Sequence, residues 1–138
     1  MKEFNDFLEQ GIVKKVTSNY SLIKSIYNDA LKRIEFYKKL KLSEESYKFI
    51  LENIYDSLRE LADAILIKDG YKSYSHEASI IYLKKYGFSM AEINDFDRLR
   101  ILRNNSKYYG KNVDLEDVKF SFELVEKLLN KIKNILNK

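Results

Sequence analysis

No proline interrupts the 138 residues of this chain, and glycine occurs only four times, at positions 11, 70, 87 and 110. Proline removes a helix donor and glycine costs a helix interior about 1 kcal/mol relative to alanine, so a chain this poor in both is free to run in long helices. Three of the glycines directly follow helix-like stretches and read as C-terminal caps. Between these breaks the apolar residues recur with helical spacing. Over 18–41 they fall at Leu22, Ile23, Ile26, Tyr27, Ala30, Leu31, Ile34 and Tyr37, one face of an amphipathic helix. Ser43 is placed to cap a second helix, with Glu44 and Glu45 in its first turn and a nearly heptad seam through Tyr47, Leu51, Ile54, Leu58, Leu61 and Ile65.

A shorter helical segment, SHEASIIYLKKY, occupies 75–86, and a loop or turn is expected before a helix over 94–109. The last helix starts at Asp114, with Asp117 as an acidic relative of the capping box, and carries Val118, Phe122, Val125, Leu129, Ile132 and Leu136. Residues 2–10 are consistent with a further short helix. No segment alternates with β-branched residues over a strand's length, so no strand is assigned. The expected fold is all-α, an up-and-down bundle of four to five helices in one domain spanning 1–138.

Hydrophobic residues at 45% and charged residues at 33% suit a globular chain and argue against both disorder and a membrane protein. The segment MKEFNDFLEQ lacks the basic-then-apolar order of a secretory signal, and the expected compartment is the cytoplasm. Cysteine is absent and His76 is the single histidine, which removes disulfides, thiolate metal sites and most His-paired nucleophile chemistry. No metal or cofactor is therefore expected. Net charge is +4, a weak invitation to an acidic partner. The distribution says more. Lysines number twenty and arginines five, yet Arg98, Arg100 and Arg103 fall within six residues, a concentration of planar donors suited to phosphate or carboxylate. Ion pairing with Asp95 and Asp97 is the alternative use of these arginines.

A turn of 100° per residue places Arg100, Arg103 and Lys107 on one stripe beside Asn104, with Leu99, Leu102, Ser106 and Tyr109 on the opposite, inward side. This predicts an outward cationic row able to receive RNA or a nucleotide phosphate. Most of the eleven tyrosines and eight phenylalanines sit at core spacing, but Tyr71, Tyr74, Tyr108 and Tyr109 lie near helix ends, where a ring is available to a ligand.

The stretch R-N-N-S-K-Y-Y-G at 103–110, ending the penultimate helix before a long amphipathic one, resembles the HEPN family. Nuclease members of that family carry arginine, a polar residue and, a few positions later, histidine. The segment GYKSYSHEASIIYL at 70–83 is similar to the middle helix of prokaryotic HEPN proteins. The resemblance implies an all-helical homodimer whose motif helices meet about a two-fold to form an RNA-facing cleft. The family includes metal-independent ribonucleases, toxins paired with nucleotidyltransferase antitoxins, and members that do not cleave. Arg103 matches the family's arginine and Asn104 its polar neighbour, but Tyr108 stands where the histidine belongs. Histidine titrates near 6.5 and suits proton transfer, whereas tyrosine, near 10, is a poor base at neutral pH; such a loss costs on the order of 10² to 10⁴ in rate.

Arg103 and Tyr108 are roughly 140° apart on a straight helix, so their use in one site calls for an unwound last turn or a dimer interface. His76 is a second candidate for catalysis, with a cap or surface role as its alternative. Tyr109 lies nearest to the tyrosine that is AMP-modified in some toxin members, at a different offset. The expected function is binding of RNA or a nucleotide phosphate through Arg100, Arg103, Asn104, Lys107 and Tyr109, with weak or no cleavage. The alternatives are an active metal-independent endoribonuclease using Arg103 with Tyr108 or His76, and a non-enzymatic helical interaction module of toxin–antitoxin type.

Overall fold

The computed structural model describes residues 2–137. Four long helices make the body: α2 (Tyr20–Lys38), α3 (Glu44–Lys68), α5 (Met90–Tyr109) and α6 (Leu115–Leu136). The short α1 (Phe4–Glu9) and α4 (His76–Ile81, continued by a 3-10 turn over Tyr82–Tyr86) close one end. The all-helical bundle is as expected from the spacing, and α3 is its axis, packed against α2, α4, α5 and α6. This central position explains why α3 buries residues nearly all round, including Ile50, Leu51, Ile54, Tyr55, Leu58, Leu61, Ala62 and Ile65. α2 lies to one side and buries only Ile23, Ala30 and Ile34, while Leu22, expected on its inner face, is turned to solvent.

The caps follow the sequence signals. Asp114 accepts from the Asp117 amide at 2.9 Å and Asp117 accepts from the Asp114 amide at 3.2 Å, the reciprocal pair expected at the start of α6. A second such pair, Ser89 with Glu92, opens α5 at Met90, four residues ahead of the expected start. Gly110 ends α5 with φ of 62°, the left-handed conformation that a side chain disfavours.

Two strands form where none is expected. β1 (Val13–Lys15) pairs antiparallel with β2 (Tyr71–Ser73), in the register Val13 with Ser73, Lys14 with Lys72 and Lys15 with Tyr71. Three residues are too few to show alternation, and this ribbon is fixed by its surroundings rather than by propensity. Val13 is buried in the core, the Val16 amide donates to the Gly70 carbonyl at 2.8 Å, and the Tyr74 amide donates to the Ile12 carbonyl at 3.0 Å. Gly70 allows that approach: its φ is 88°, and a β-carbon there would lie 3.2 Å from the Val16 carbonyl oxygen. Among the described residues no helix is long and apolar enough to cross a membrane.

Candidate functional site

The inward stripe of α5 is Ile93, Phe96, Leu99, Arg103 and Ser106. Arg103 is only 5% exposed, so it does not belong to an outward cationic row, and Tyr109, expected inside, is 75% exposed. The reason is angular: Arg103 follows the inward Leu99 by four residues, about 40° round the helix, and so shares its side. Ile93 and Phe96 anchor the buried face, and continuing from them by three or four residues leads through Leu99 to Arg103 and Ser106. Leu102 is only half-buried.

A guanidinium at a core position must find charge and hydrogen bonds there. Arg103 Nη2 lies 3.1 Å from Asp56 Oδ1 on α3, an ionic contact without the alignment of a hydrogen bond. Its Nη1 donates to Asn104 Oδ1 at 3.0 Å and to the Tyr108 hydroxyl at 3.2 Å. Arg103 and Tyr108 therefore meet although α5 stays helical through Tyr109, without an unwound turn; the long arginine side chain spans the angular gap. The guanidinium also stands 5.7 Å from the Tyr55 ring centroid and 5.5 Å from that of Tyr108. Burial opposes its charge, but the Tyr108 hydrogen bond and Asp56 outweigh it and raise its pKa.

His76, the first residue of α4, lies in this network rather than on the surface. The Tyr55 hydroxyl and His76 Nδ1 are 3.1 Å apart, and no hydrogen bond among the described residues reaches Nε2. Burial, then the positive charges of Arg59, Arg103, Arg100 and Lys107, push the imidazole down to about 4, so the ring is neutral at pH 7. Burial likewise pushes the Tyr55 phenol well above its ordinary value.

The other two arginines of this cluster are also paired. Arg59 Nη1 contacts Asp63 at 2.7 Å, and Arg100 contacts Asp97 at 2.7 Å and Glu77 at 3.6 Å. Asp63 also accepts from the Ser79 hydroxyl, yet burial holds its pKa above the usual carboxylate range. The assembly is thus close to charge-balanced, but the Nε atoms of Arg59 and Arg103 are buried without a protein partner. Asn104 is half-buried, while Lys107 and Tyr108 stand at the solvent side. Arg98 is separate, with its guanidinium 4.3 Å from the Phe120 ring centroid on α6.

The expected residues therefore fall into three groups. Arg100, Arg103, Asn104 and Tyr108 come together with His76, Lys107 forms the rim, and Tyr109 has no hydrogen bond to the network. Sequence reasoning missed the α3 contribution, Tyr55, Asp56, Arg59 and Asp63. Its trace was visible as polar residues at 52, 56, 59 and 63, helical spacing beside the apolar seam of α3. Among the described residues no group of histidine, aspartate and glutamate is arranged to hold a metal ion. The chain matches no protein-family model, and no curated protein is significantly similar to it in sequence.

Proposed function

We propose that this chain is a HEPN-like protein that binds RNA or a nucleotide phosphate on the α4–α5 face, with weak or no ribonuclease activity. The observation that carries the reading is the packing of Arg103 against the Tyr55–His76 pair, with Arg59 and Arg100 in the same cluster and Lys107 and Tyr108 exposed at its border. A phosphate meets Lys107 and the exposed part of Arg100 directly. Arg103 acts from behind, through its hydrogen bonds to Asn104 and Tyr108, and is a positioning residue.

Weak cleavage follows from the proton chemistry. Attack by a ribose 2′-hydroxyl needs one group to take a proton and another to protonate or stabilise the leaving oxygen. Neutral His76 supplies an acceptor, but a weak one because its pKa is pushed down to about 4, and the Tyr55 phenol beside it, pushed up by burial, releases its proton too reluctantly to serve the leaving oxygen. The free Nε2 of His76 favours a second reading, in which the imidazole is the general base of an active ribonuclease. The outward residues Ile101 and Tyr108 of α5, seven positions apart and both exposed, support a homodimer built on this helix.

Fluorescence anisotropy with labelled RNA over a salt series, together with a denaturing gel, tests the proposal. Binding should weaken with salt by about 0.7 in log K per log salt for each phosphate contacted, and Lys107→Gln should reduce the slope. RNA that stays intact supports the binding reading. Cleavage abolished by both His76→Ala and Arg103→Ala replaces it with the ribonuclease, and failure to bind RNA or nucleotide at low salt removes both.

A further inference from the structure

The β-ribbon sets two like charges directly opposite each other. Lys14 and Lys72 are cross-strand partners, both exposed, and among the described residues neither has a carboxylate within ion-pairing distance. Such a pair destabilises an antiparallel ribbon, so folding alone does not favour it. The neighbouring acids are engaged elsewhere: on α1, Asp6 accepts from the Glu3 amide and Glu9 from the Asn5 side chain. The ring of Tyr74 lies close to both ammonium groups, with Lys14 Nζ at 5.7 Å and Lys72 Nζ at 5.3 Å from its centroid. Tyr74 is 62% exposed while its amide is bonded to Ile12, so an accessible aromatic ring is held on a fixed backbone beside two ammonium groups that no carboxylate pairs and that a base could displace from the ring.

We propose that this ribbon is a docking strip for single-stranded RNA, in which Lys14 and Lys72 contact phosphates and Tyr74 stacks on a base. Unpaired nucleic acid presents both chemistries at that spacing, an anionic backbone and bare π faces, whereas a duplex hides the second. The strip leads to the α4–α5 site. Tyr74 precedes His76 by two residues, at most about 7 Å of extended backbone, so a strand lying along the ribbon arrives at the start of α4. The choice of RNA as ligand rests on the function proposed above; the position of the strip does not.

Anisotropy with fluorescein-labelled oligouridylate tests it, using the full chain. Lys14→Gln combined with Lys72→Gln should lower the salt slope by about 1.4, the value for two single-strand phosphate contacts. Tyr74→Ala should weaken binding by roughly 5- to 150-fold and Tyr74→Phe should retain it, because the stacking face is what matters. Duplex RNA of equal length should bind less tightly and be indifferent to Tyr74→Ala. All three side chains are exposed, so circular dichroism should be unchanged, and the melting temperature should not fall in the double lysine variant, where relief of the cross-strand repulsion acts to raise it. If Lys107→Gln weakens binding and the ribbon variants do not, the strip is overturned and the α4–α5 reading stands. The reverse pattern supports the strip and removes the α4–α5 site. Loss on the lysine changes but not on Tyr74→Ala marks a general polyanion patch and overturns the proposal, and an absence of wild-type binding overturns both readings.

Discussion

His76 is the chain's only histidine, so its imidazole proton resonances can be followed by NMR without assignment. Burial and the surrounding guanidinium groups lower its pKa from 6.5 to about 4. Between those two pH values the unfolded chain binds more protons than the folded one, so stability rises with pH across this window. Above 6.5 the ring is neutral in both states and contributes no pH dependence; below 4 the whole penalty of charging it is present. At full weight a shift of this size corresponds to about 3 kcal/mol. His76 is only half-buried, and solvent screening brings the expected effect to about 1–2 kcal/mol. Urea denaturation from pH 4 to 7.5 should show this difference between wild type and His76→Gln, with the carboxylates, common to both, cancelling. The NMR midpoint should lie near 4 and rise in Arg59→Gln. A midpoint at or above 6.5 would refute the electrostatic account of the cluster, whatever the stability curves show.

Asp56→Ala leaves the Arg103 guanidinium buried without a carboxylate and should cost about 3–5 kcal/mol in urea denaturation. Combining Asp56→Leu with Arg103→Met should recover much of that, and a single-variant cost under about 0.5 kcal/mol would contradict the buried pair. Gly70→Ala should destabilise by about 1–3 kcal/mol, from its positive φ and the 3.2 Å approach to Val16, and by more than Gly11→Ala, where the added carbon meets open space. Asp69 accepts from the Tyr82 and Tyr86 hydroxyls at 2.6 Å each, and these bonds, aided by Lys85 and Lys68, outweigh burial and lower its pKa. Its stabilisation is present above the unfolded carboxylate value and lost as pH falls through the lowered one, so changing both tyrosines to phenylalanine should move the onset of acid unfolding to higher pH.

Much of the bundle was legible because one physical signal, apolar spacing, runs uninterrupted through α2, α3 and α6. The start of α5 was not, because its apolar spacing is diluted by polar residues and the Ser89–Glu92 cap lies just past the Gly87 break, where a loop is expected. Arg103 is inward because it follows the buried Leu99 by four residues, only about 40° round the helix, so the two cannot lie on opposite sides. The ribbon was invisible for another reason: its strands are held by Val13 in the core and by the approach of Val16 to Gly70, which are tertiary facts. The motif residues on α5 were identifiable from their local cluster. Their partners were not, since Asp56 and Arg59 are more than forty positions away in sequence and only packing of α3 on α5 brings them near.

That packing carries two polar rungs, Glu52 with Ser106 at 2.6 Å and Asp56 with Arg103 at 3.1 Å. They advance along α3 while retreating along α5, and so behave as a key cut for a single position of two antiparallel rods. Sliding either rod by one helical turn, about 5.4 Å, would strand a charge among aliphatic side chains. The alignment of α5, and with it the position of every group around His76, is therefore selected by electrostatic fit where apolar packing alone would tolerate neighbouring settings.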